Sequence, residues 1–321
     1  MRRRDLLAGL LAITTVRAVR AQQSSSKVWR VAYLVPGSIT TDRVLFDVFR
    51  AEMRTLGYIE GKNLVIDSRE TEGKNDRLPS LISELLALRP DVIVAVGTPA
   101  VAAAQKATST IPIIMAPAAD PIGSGFVKSL ARPGGNITGM SNMTGDFVGK
   151  GVELLHTILP AARRIGVLLS NNPSHPYQYD LAEAEIKKLG LTAIRVVALT
   201  PDDLEQAFET IKKENCDALF VPTDMTRAAI VTLAAQSRIP AVYQQALFVP
   251  LGGLASFHTK LEAIFAKVAH YCDRVFRGAD PAELPVEQPV VFELALNLKT
   301  AASLGITFPD SVIARADKVI E

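Results

Sequence analysis

Apolar runs of strand length alternate along the chain with stretches in which apolar residues recur at helical spacing. Mostly apolar runs lie at 29–35, 64–68, 92–96 and 111–117, and apolar side chains between them recur every three or four positions. Continuous apolar strands separated by helices are typical of a parallel sheet that is covered on both faces. The first part of the chain is therefore predicted to be an α/β unit.

A second α/β unit is predicted from residue 164 onward. Its strands are expected at 164–170, 193–199, 218–222 and 239–243, with helices between them. The pattern of alternating strands and helices is thus repeated, and the chain is predicted to have two similar lobes.

Two segments of these lobes also resemble each other in sequence. DVIVAVGT (91–98) and DALFVPTD (217–224) each consist of an acid, an apolar strand and a threonine. A further apolar strand follows each of them at a similar interval. Duplication explains this similarity, and so does the common pattern of α/β folds, so both origins stay open.

The chain beyond residue 253 continues neither lobe simply. We predict a strand at 253–257, a helix at about 260–277, an extended segment at 285–294 and a helix at about 296–304. If these pieces return to complete both lobes, the chain crosses between the lobes more than once, and such crossings form a hinge. We therefore expect an α/β protein with two Rossmann-like lobes, parallel sheets and a multi-strand hinge.

The chain begins with a basic segment and a short apolar stretch, MRRRDLLAGLLAITTVRAVRA. This order predicts an export signal at residues 1–21 that is cleaved after Ala21, and its RRDLL resembles a twin-arginine motif. The apolar run is too short to span a bilayer. We expect a periplasmic protein, with a cytoplasmic protein as the alternative.

The expected N-terminal lobe consists of residues 28–140 with about 258–282. The expected C-terminal lobe consists of residues 141–257 with about 283–321. Each lobe is thus predicted to be discontinuous in sequence, because the chain crosses the hinge repeatedly.

Charge and motif content exclude several classes of protein. Without residues 1–21 the chain has 30 basic and 32 acidic side chains, so no basic surface for nucleic acid is indicated. The four histidines show no HExxH or HxH spacing, Cys216 and Cys272 have no CxxC partner, and no GxSxG elbow occurs. We expect no catalytic residue, no metal and no cofactor.

The stretch ADPIGSGFVKSL (119–130) has two glycines after an apolar strand, as phosphate-binding loops do. It lacks a third glycine at GxGxxG spacing, and the segment 145–150 lacks the Walker spacing. We interpret Gly123–Gly125 as a turn that begins a helix near a cleft, with that helix ending at about 131–135.

Polar residues at the carboxyl ends of strands indicate a ligand cleft. Ligands of open α/β sheets bind at these ends, and two facing lobes present them from both sides. The candidate ligand-binding residues are Ser38, Thr98, Pro99, Ala100, Asp120, Asn171, Thr223, Asp224, Tyr243 and Gln244.

The segment Thr98-Pro99-Ala100 is predicted to begin a helix at the cleft. Thr98 suits the N-cap and Pro99 suits the first helical position. The backbone N–H groups of Ala100 and Val101 would then face a ligand carboxylate. Plain capping explains these residues equally well.

Three other candidates also have two interpretations. Asp224 pairs with a ligand ammonium or caps a helix that begins near Thr226. Tyr243 stacks on a ligand ring or fills the end of the sheet. Asp120 contacts the ligand or lies at a helix start.

Three long segments resemble the ABC-transporter substrate-binding protein family that includes tryptophan/tyrosine-type binding proteins. They are DPIGSGFVKSLARPGGNITGMS (120–141), LPVEQPVVFELALNLKTAASLGI (284–306) and RADKVIE (315–321), and the similarity extends over nearly the whole mature chain. The resemblance implies a type I periplasmic-binding fold, no catalysis, and delivery of a captured solute to an ABC permease and its ATPase subunit. We expect a monomer.

Two motifs differ from those of relatives that bind aromatic amino acids. Those relatives resemble VPTDN where this chain has VPTDM (221–225), and Ser-Tyr-Gly where it has Ser256-Phe257-His258. The resemblance implies a small organic solute, either an amino acid, an aromatic or another carboxylate-bearing compound. The alternatives are an isomerase-like enzyme that uses the same cleft and the effector lobes of a transcription regulator.

Overall fold

The computed structural model of the chain describes residues 27–39, 43–142, 144–222 and 228–321. The predicted signal peptide and two candidate site residues, Thr223 and Asp224, lie outside these described residues. Among the helices of the described ranges, none is long and apolar enough to cross a membrane.

Five parallel strands form the first sheet, in the order β2-β1-β3-β4-β5. The strands are β1 (Trp29–Val35), β2 (Leu64–Glu70), β3 (Val92–Ala95), β4 (Ile113–Ala119) and β5 (Ile137–Asn142), and the helices between them are α1 (Arg43–Thr55), α2 (Leu78–Ala87) and α3 (Gly97–Ala107). Successive residues of β1 enter two different cores, Tyr33 on one face and Leu34 on the other. Both faces of the sheet are therefore covered, as the continuous apolar runs predict.

Seven strands form the second sheet, in the order β12-β11-β10-β9-β8-β6-β7. The strands are β6 (Arg164–Leu169), β7 (Thr192–Val197), β8 (Ala218–Val221), β9 (Ala241–Tyr243), β10 (Ala255–Thr259), β11 (Phe292–Asn297) and β12 (Lys318–Ile320). The associated helices are α4 (Thr144–Ile158), α5 (His175–Lys188), α6 (Leu204–Lys213), α7 (Ala228–Gln236), α8 (Leu261–Phe276), α9 (Leu298–Leu304) and α10 (Asp310–Ile313). The strands pair in parallel except for β10 and β11, which are antiparallel.

Helix α8 follows a strand of the second sheet but packs on the first. Phe265 and Tyr271 of α8 belong to the same core as Tyr33, and Phe276 stacks on Trp29 with ring centroids 4.2 Å apart. The chain crosses between the sheets after β5, after β10 and again before β11. The prediction of two α/β lobes joined by a multi-strand hinge is confirmed.

The segment that follows α8 runs along the first lobe before it enters the second sheet. Val286 N donates to Leu130 O at 2.7 Å, and Glu287 N donates to Gly139 O at 3.0 Å. These bonds place the last crossing near residue 288, within the stretch that connects to β11. The lobe boundaries given above stay a prediction.

Residues 121–136 form turns and loops, and the helix predicted after Gly125 was wrong. Asp120 Oδ1 accepts a hydrogen bond from Gly123 N at 2.9 Å, and Lys128 N donates to Pro133 O at 2.9 Å. These bonds close the backbone into a compact loop and leave no uninterrupted stretch for a helical ladder. The turn at Gly123–Gly125 is confirmed.

Candidate functional site

A cavity lies between the two lobes, at the carboxyl ends of the strands of both sheets. The volume of this cavity, measured as the space open to the centre of a water molecule, is about 80 Å³. This is several times the volume that a single bound water needs. The wall residues are Tyr33, Val35, Ile39, Leu45, Phe46, Val96, Gly97, Thr98, Pro99, Ala116, Pro117, Ala119, Asn142, Leu261 and Phe265 from the first lobe, with Asn172, Ser174, Gln244, Gln245, Ala246, Leu247, His258 and Thr259 from the second lobe and its hinge strand.

Aromatic and aliphatic side chains form most of the first-lobe wall. The ring centroids of Tyr33 on β1 and Phe46 on α1 are 4.9 Å apart, in an edge-to-face arrangement. Phe265 extends this surface from α8. Because large apolar surfaces bind ligands by excluding water, this wall is suited to a hydrophobic or aromatic group.

The beginning of α3 supplies the polar part of the first-lobe wall. Gly97 adopts a φ of 74°, which lets the chain turn from β3 directly into the helix. Thr98 is 3% exposed, and its Oγ1 accepts a hydrogen bond from Ala119 N at 3.0 Å. The hydroxyl group can still donate a hydrogen bond of its own. The cavity wall thus carries a hydroxyl donor beside a helix N-terminus, where negative charge is stabilised.

The prediction that Thr98 is an N-cap was wrong. Val96 occupies that position, and the Thr98 side chain joins the first turn of α3 to the end of β4 instead. Ala100 is fully buried in the core behind the wall, so the structure does not place it at the cavity. Pro99 lies in the wall as expected from its place in the first turn.

Hydrogen-bonded polar residues at the start of α5 form one part of the second-lobe wall. Asn172 Oδ1 accepts from Ser174 N at 3.0 Å and from Ser174 Oγ at 2.8 Å, and Gln178 Nε2 donates to Ser174 Oγ at 2.9 Å. Since the Asn172 oxygen is used in this way, its Nδ2 group is the one left to donate to a ligand.

Gln244, which follows β9, forms another part of the same wall. It is 2% exposed, and its Nε2 donates to Phe147 O at 2.9 Å. Its Oε1 is buried and has no hydrogen-bond partner. A buried acceptor without a partner costs about 1–3 kcal/mol.

His258 lies on the hinge strand β10 and contributes a buried imidazole to the wall. Its Nδ1 is 3.1 Å from Ser256 Oγ, and its Nε2 is 3.6 Å from Glu293 Oε2. Burial lowers the pKa of His258, and the Glu293 carboxylate opposes this effect. The imidazole is therefore neutral at neutral pH.

Of the candidates from the sequence, Thr98, Pro99 and Gln244 lie in the cavity wall. The structure places five others outside that wall, and Thr223 and Asp224 lie outside the described residues. The five are Ser38, Ala100, Asp120, Asn171 and Tyr243.

Asn171 and Asp120 lie at the rims of the two lobes. Asn171 Oδ1 accepts a hydrogen bond from Asn75 Nδ2 at 2.7 Å, and this bond joins the lobes. The pKa of the Tyr177 hydroxyl is raised by burial and, in second place, by the Asp120 carboxylate of the opposite lobe. Asn171 therefore joins the lobes, Asp120 faces the opposite lobe, and neither lines the cavity.

Tyr243 fills the end of the second sheet, as one of its two interpretations predicted. It is 1% exposed and stacks on Phe248 with ring centroids 4.4 Å apart. Burial raises the pKa of its hydroxyl. Ser38 is half-buried, and the neighbouring residue Ile39 lines the cavity in its place.

Several wall residues had no distinct signal in the sequence. Phe46 and Phe265 recur at the same helical spacing as core residues, so the pattern does not separate core from cavity. Asn142 ends β5, whose sequence ITGMSN has no continuous apolar run from which a strand could be predicted. His258 directly follows the predicted strand 253–257, and that position was its available signal.

Comparison with known proteins gives one consistent family. Residues 46–320 match the family model described as ABC transporter substrate binding protein. A tyrosine-binding protein of Clostridioides difficile (strain R20291) is 30% identical over 255 residues, which are 78% of this chain and 73% of that protein.

Solved structures agree with this assignment. An ABC domain from Streptococcus pneumonia in complex with L-Trp has a TM-score of 0.83 and 29% identity, and covers 91% of this chain and 99% of its own. A conserved domain protein from Vibrio cholerae has a TM-score of 0.84 and 29% identity, and the match covers 91% of this chain and 100% of that protein's chain. A leucine-binding protein, LivK of Thermotoga maritima, has a TM-score of 0.60 and 12% identity, and the match covers 78% of this chain and 83% of that chain. It shares the type I periplasmic-binding fold. The chain belongs to the ABC transporter substrate-binding protein family.

Proposed function

We propose that this protein is the exported receptor of an ABC importer and captures an aromatic amino acid, or a related aromatic carboxylate, by closing its two lobes. The observation that carries the proposal is the cavity between the lobes, because its wall is complete only when both lobes contribute. A solute that contacts both walls stabilises the closed arrangement over the open one.

The chemistry of the two walls fits such a solute. The ring would lie against Tyr33, Phe46 and Phe265, where apolar area is available. The carboxylate would lie at the N-terminus of α3, where the Thr98 hydroxyl donates and the helix dipole favours negative charge. Asn172 would donate from the second lobe.

The relative position of the lobes supports closure as the capture step. The rims are joined by the hydrogen bond between Asn75 and Asn171. Over both lobes together, the chain superposes on the Streptococcus pneumonia domain in complex with L-Trp with a TM-score of 0.83. Since one superposition includes both lobes, their relative orientation is similar in the two proteins.

The sequence adds partners and a location to this proposal. The export signal at residues 1–21 directs the receptor to the periplasm, and the family implies a permease with its ATPase subunit as partners. We propose a monomer, since one chain supplies both walls of the cavity. Cell fractionation tests export and its route. The amount of protein in the periplasmic and cytoplasmic fractions is compared with and without the Arg3→Lys, Arg4→Lys pair.

Thr223 and Asp224 remain sequence-based proposals for ligand-binding residues, with Asp224 as the partner of a ligand ammonium. If Asp224 pairs with that group, Asp224→Ala weakens an amine-bearing ligand at least about tenfold, because a charge-assisted hydrogen bond is lost. Unchanged affinity would reject Asp224 as the ammonium partner.

The main experiment is a thermal-shift and calorimetric screen of the chain from residue 22 onward. L-tryptophan, L-tyrosine, L-phenylalanine, indole-3-propionate, tryptamine and L-alanine are the test compounds. A compound that binds the folded protein raises its Tm, and the rise grows with the concentration of the compound. At a concentration of 100 times Kd, binding adds about 2.7 kcal/mol to the free energy of unfolding. We expect shifts with aromatic amino acids and none with L-alanine. The proposal fails if no aromatic carboxylate binds, and conversion of a bound compound into a product would favour the isomerase-like alternative.

A further inference from the structure

We infer that Gln244 is a specificity-determining residue of the cavity, whose side-chain oxygen accepts a hydrogen bond from an N–H or O–H donor of the bound solute. The inference deepens the proposed function and rests on it only for the choice of test ligands. The observation behind it is that Gln244 Oε1 is buried and has no hydrogen-bond partner.

The orientation of the amide is determined by its neighbours. Nε2 lies 2.9 Å from the carbonyl oxygen of Phe147, which can only accept, so this end of the amide must be the NH₂ group. The backbone N–H of Gln244 donates to Val221 O at 3.0 Å, which holds the residue at the carboxyl ends of β8 and β9. The oxygen therefore cannot exchange places with the nitrogen to find a partner.

The side chain of Gln244 is also closely packed. It lies against α4 at Gly151, where a Cβ atom would be 3.3 Å from Gln244 Nε2 and 2.8 Å from Phe220 Cε2. The glycine thus makes room for the amide, and the aromatic ring of Phe220 fills the space beside it. An apolar side chain here would remove the unpaired oxygen, but it would also remove the hydrogen bond to Phe147 O.

A polar side chain that is held in this way has a reason to be in a ligand cavity. A buried acceptor without a partner destabilises the unliganded protein, whereas a ligand donor that reaches it gains a hydrogen bond without first displacing another partner. A solute that lacks the donor leaves the oxygen unpaired and is rejected. Gln244 therefore selects among aromatic solutes of similar shape.

The test combines two variants with two pairs of ligands. Gln244→Met keeps the length of the side chain and removes the acceptor. Gln105→Met is the matched control, because Gln105 Nε2 also donates to a backbone carbonyl, Gly125 O at 2.7 Å, outside the cavity wall. L-tryptophan is compared with 1-methyl-L-tryptophan, which lacks the indole N–H, and with indole-3-propionate, which lacks the ammonium.

We expect the unchanged protein to bind L-tryptophan at least about tenfold more tightly than one of the two analogues, and Gln244→Met to lose this difference while Gln105→Met keeps it. Equal discrimination in the unchanged protein and in Gln244→Met would overturn the inference. So would a protein that discriminates against neither analogue.

One outcome separates this inference from the proposed function. If aromatic amino acids fail to bind but another solute with a donor binds and is lost in Gln244→Met, the proposed function fails and the role of Gln244 stands.

Discussion

The two walls of the cavity differ in how they hold a ligand. The first-lobe wall is mainly Tyr33, Phe46 and Phe265, whose contacts are apolar and therefore non-directional. The second-lobe wall presents side-chain amides, and hydrogen bonds to them depend on distance and angle. With the proposed function, we infer from this difference that the first lobe determines how strongly aromatic solutes bind, and that the second determines which of them bind.

The largest effect is expected from Phe265→Ala. The ring is 2% exposed and belongs both to the first-lobe core and to the cavity wall, so its loss costs about 3–5 kcal/mol of unfolding free energy. All aromatic solutes are weakened to a similar extent, because no directional contact is lost. Urea denaturation and calorimetry measure the two effects, with Phe265→Leu as the control of intermediate size. Loss of one aromatic ligand alone would contradict the division between the walls.

Thr98→Val tests the directional contact within the first-lobe wall. The substitution removes the hydroxyl that would donate to a carboxylate and that accepts from Ala119 N. Binding of carboxylate ligands weakens about tenfold, whereas tryptamine, which has no carboxylate, is unaffected. Thr98→Ser keeps the hydroxyl and should retain affinity. Equal weakening of tryptamine would show that the valine acts only by disturbing the fold.

The next expected effect is a pH dependence that originates at His258. Its pKa in the folded protein is below the unfolded value of 6.5, so the unfolded state takes up the proton first as the pH falls. The stability that the neutral form of His258 contributes is therefore fully present above about pH 6.5, and it is lost as the pH falls through the pKa of His258 in the folded protein. Melting curves between pH 8 and pH 5 measure it.

His258→Gln should flatten this part of the stability profile. Glu293→Gln removes the carboxylate that favours the charged imidazole, and should make the acid side steeper. An unchanged slope in His258→Gln would exclude this histidine as the source.

The smallest effect is expected at the rim, where Asn75 and Asn171 join the lobes. Their hydrogen bond contributes about 0.5–1.5 kcal/mol to the closed form, so Asn75→Ala weakens every ligand by about two- to tenfold, mainly through faster dissociation. Since the contact belongs to neither wall, selectivity is unchanged. A double-mutant cycle with Asn171→Ala measures the coupling, and strictly additive effects would show that the bond does not contribute to closure.

The architecture was largely predictable from the sequence. The run at 92–96 forms β3, and the apolar spacing at 260–277 forms α8, because in both segments the local pattern agrees with burial in the fold. The turn at Gly123–Gly125 was also correct. The helix after it was not, because the Asp120 carboxylate and the Lys128–Pro133 bond stabilise a loop whose partners cannot be read from spacing.

The site was less predictable, for a physical reason. Strand ends indicated Thr98 and Gln244, since parallel strands bring their carboxyl ends together. Phe46 and Phe265 reach the cavity only because α1 and α8, distant in sequence, pack side by side on the first sheet. Tertiary packing decides whether such an apolar side chain fills a core or lines a cavity.

The packing of α8 on the first sheet has a consequence for the order of folding. The strands of the first lobe are made early, but α1 covers only part of one face of its sheet. The rest is covered, and Trp29 gains its stacking partner Phe276, only when α8 is made. Contacts of such long sequence separation form late, because the loop between them must be closed first. The N-terminal lobe can therefore be completed only after the ribosome has synthesised the chain through α8.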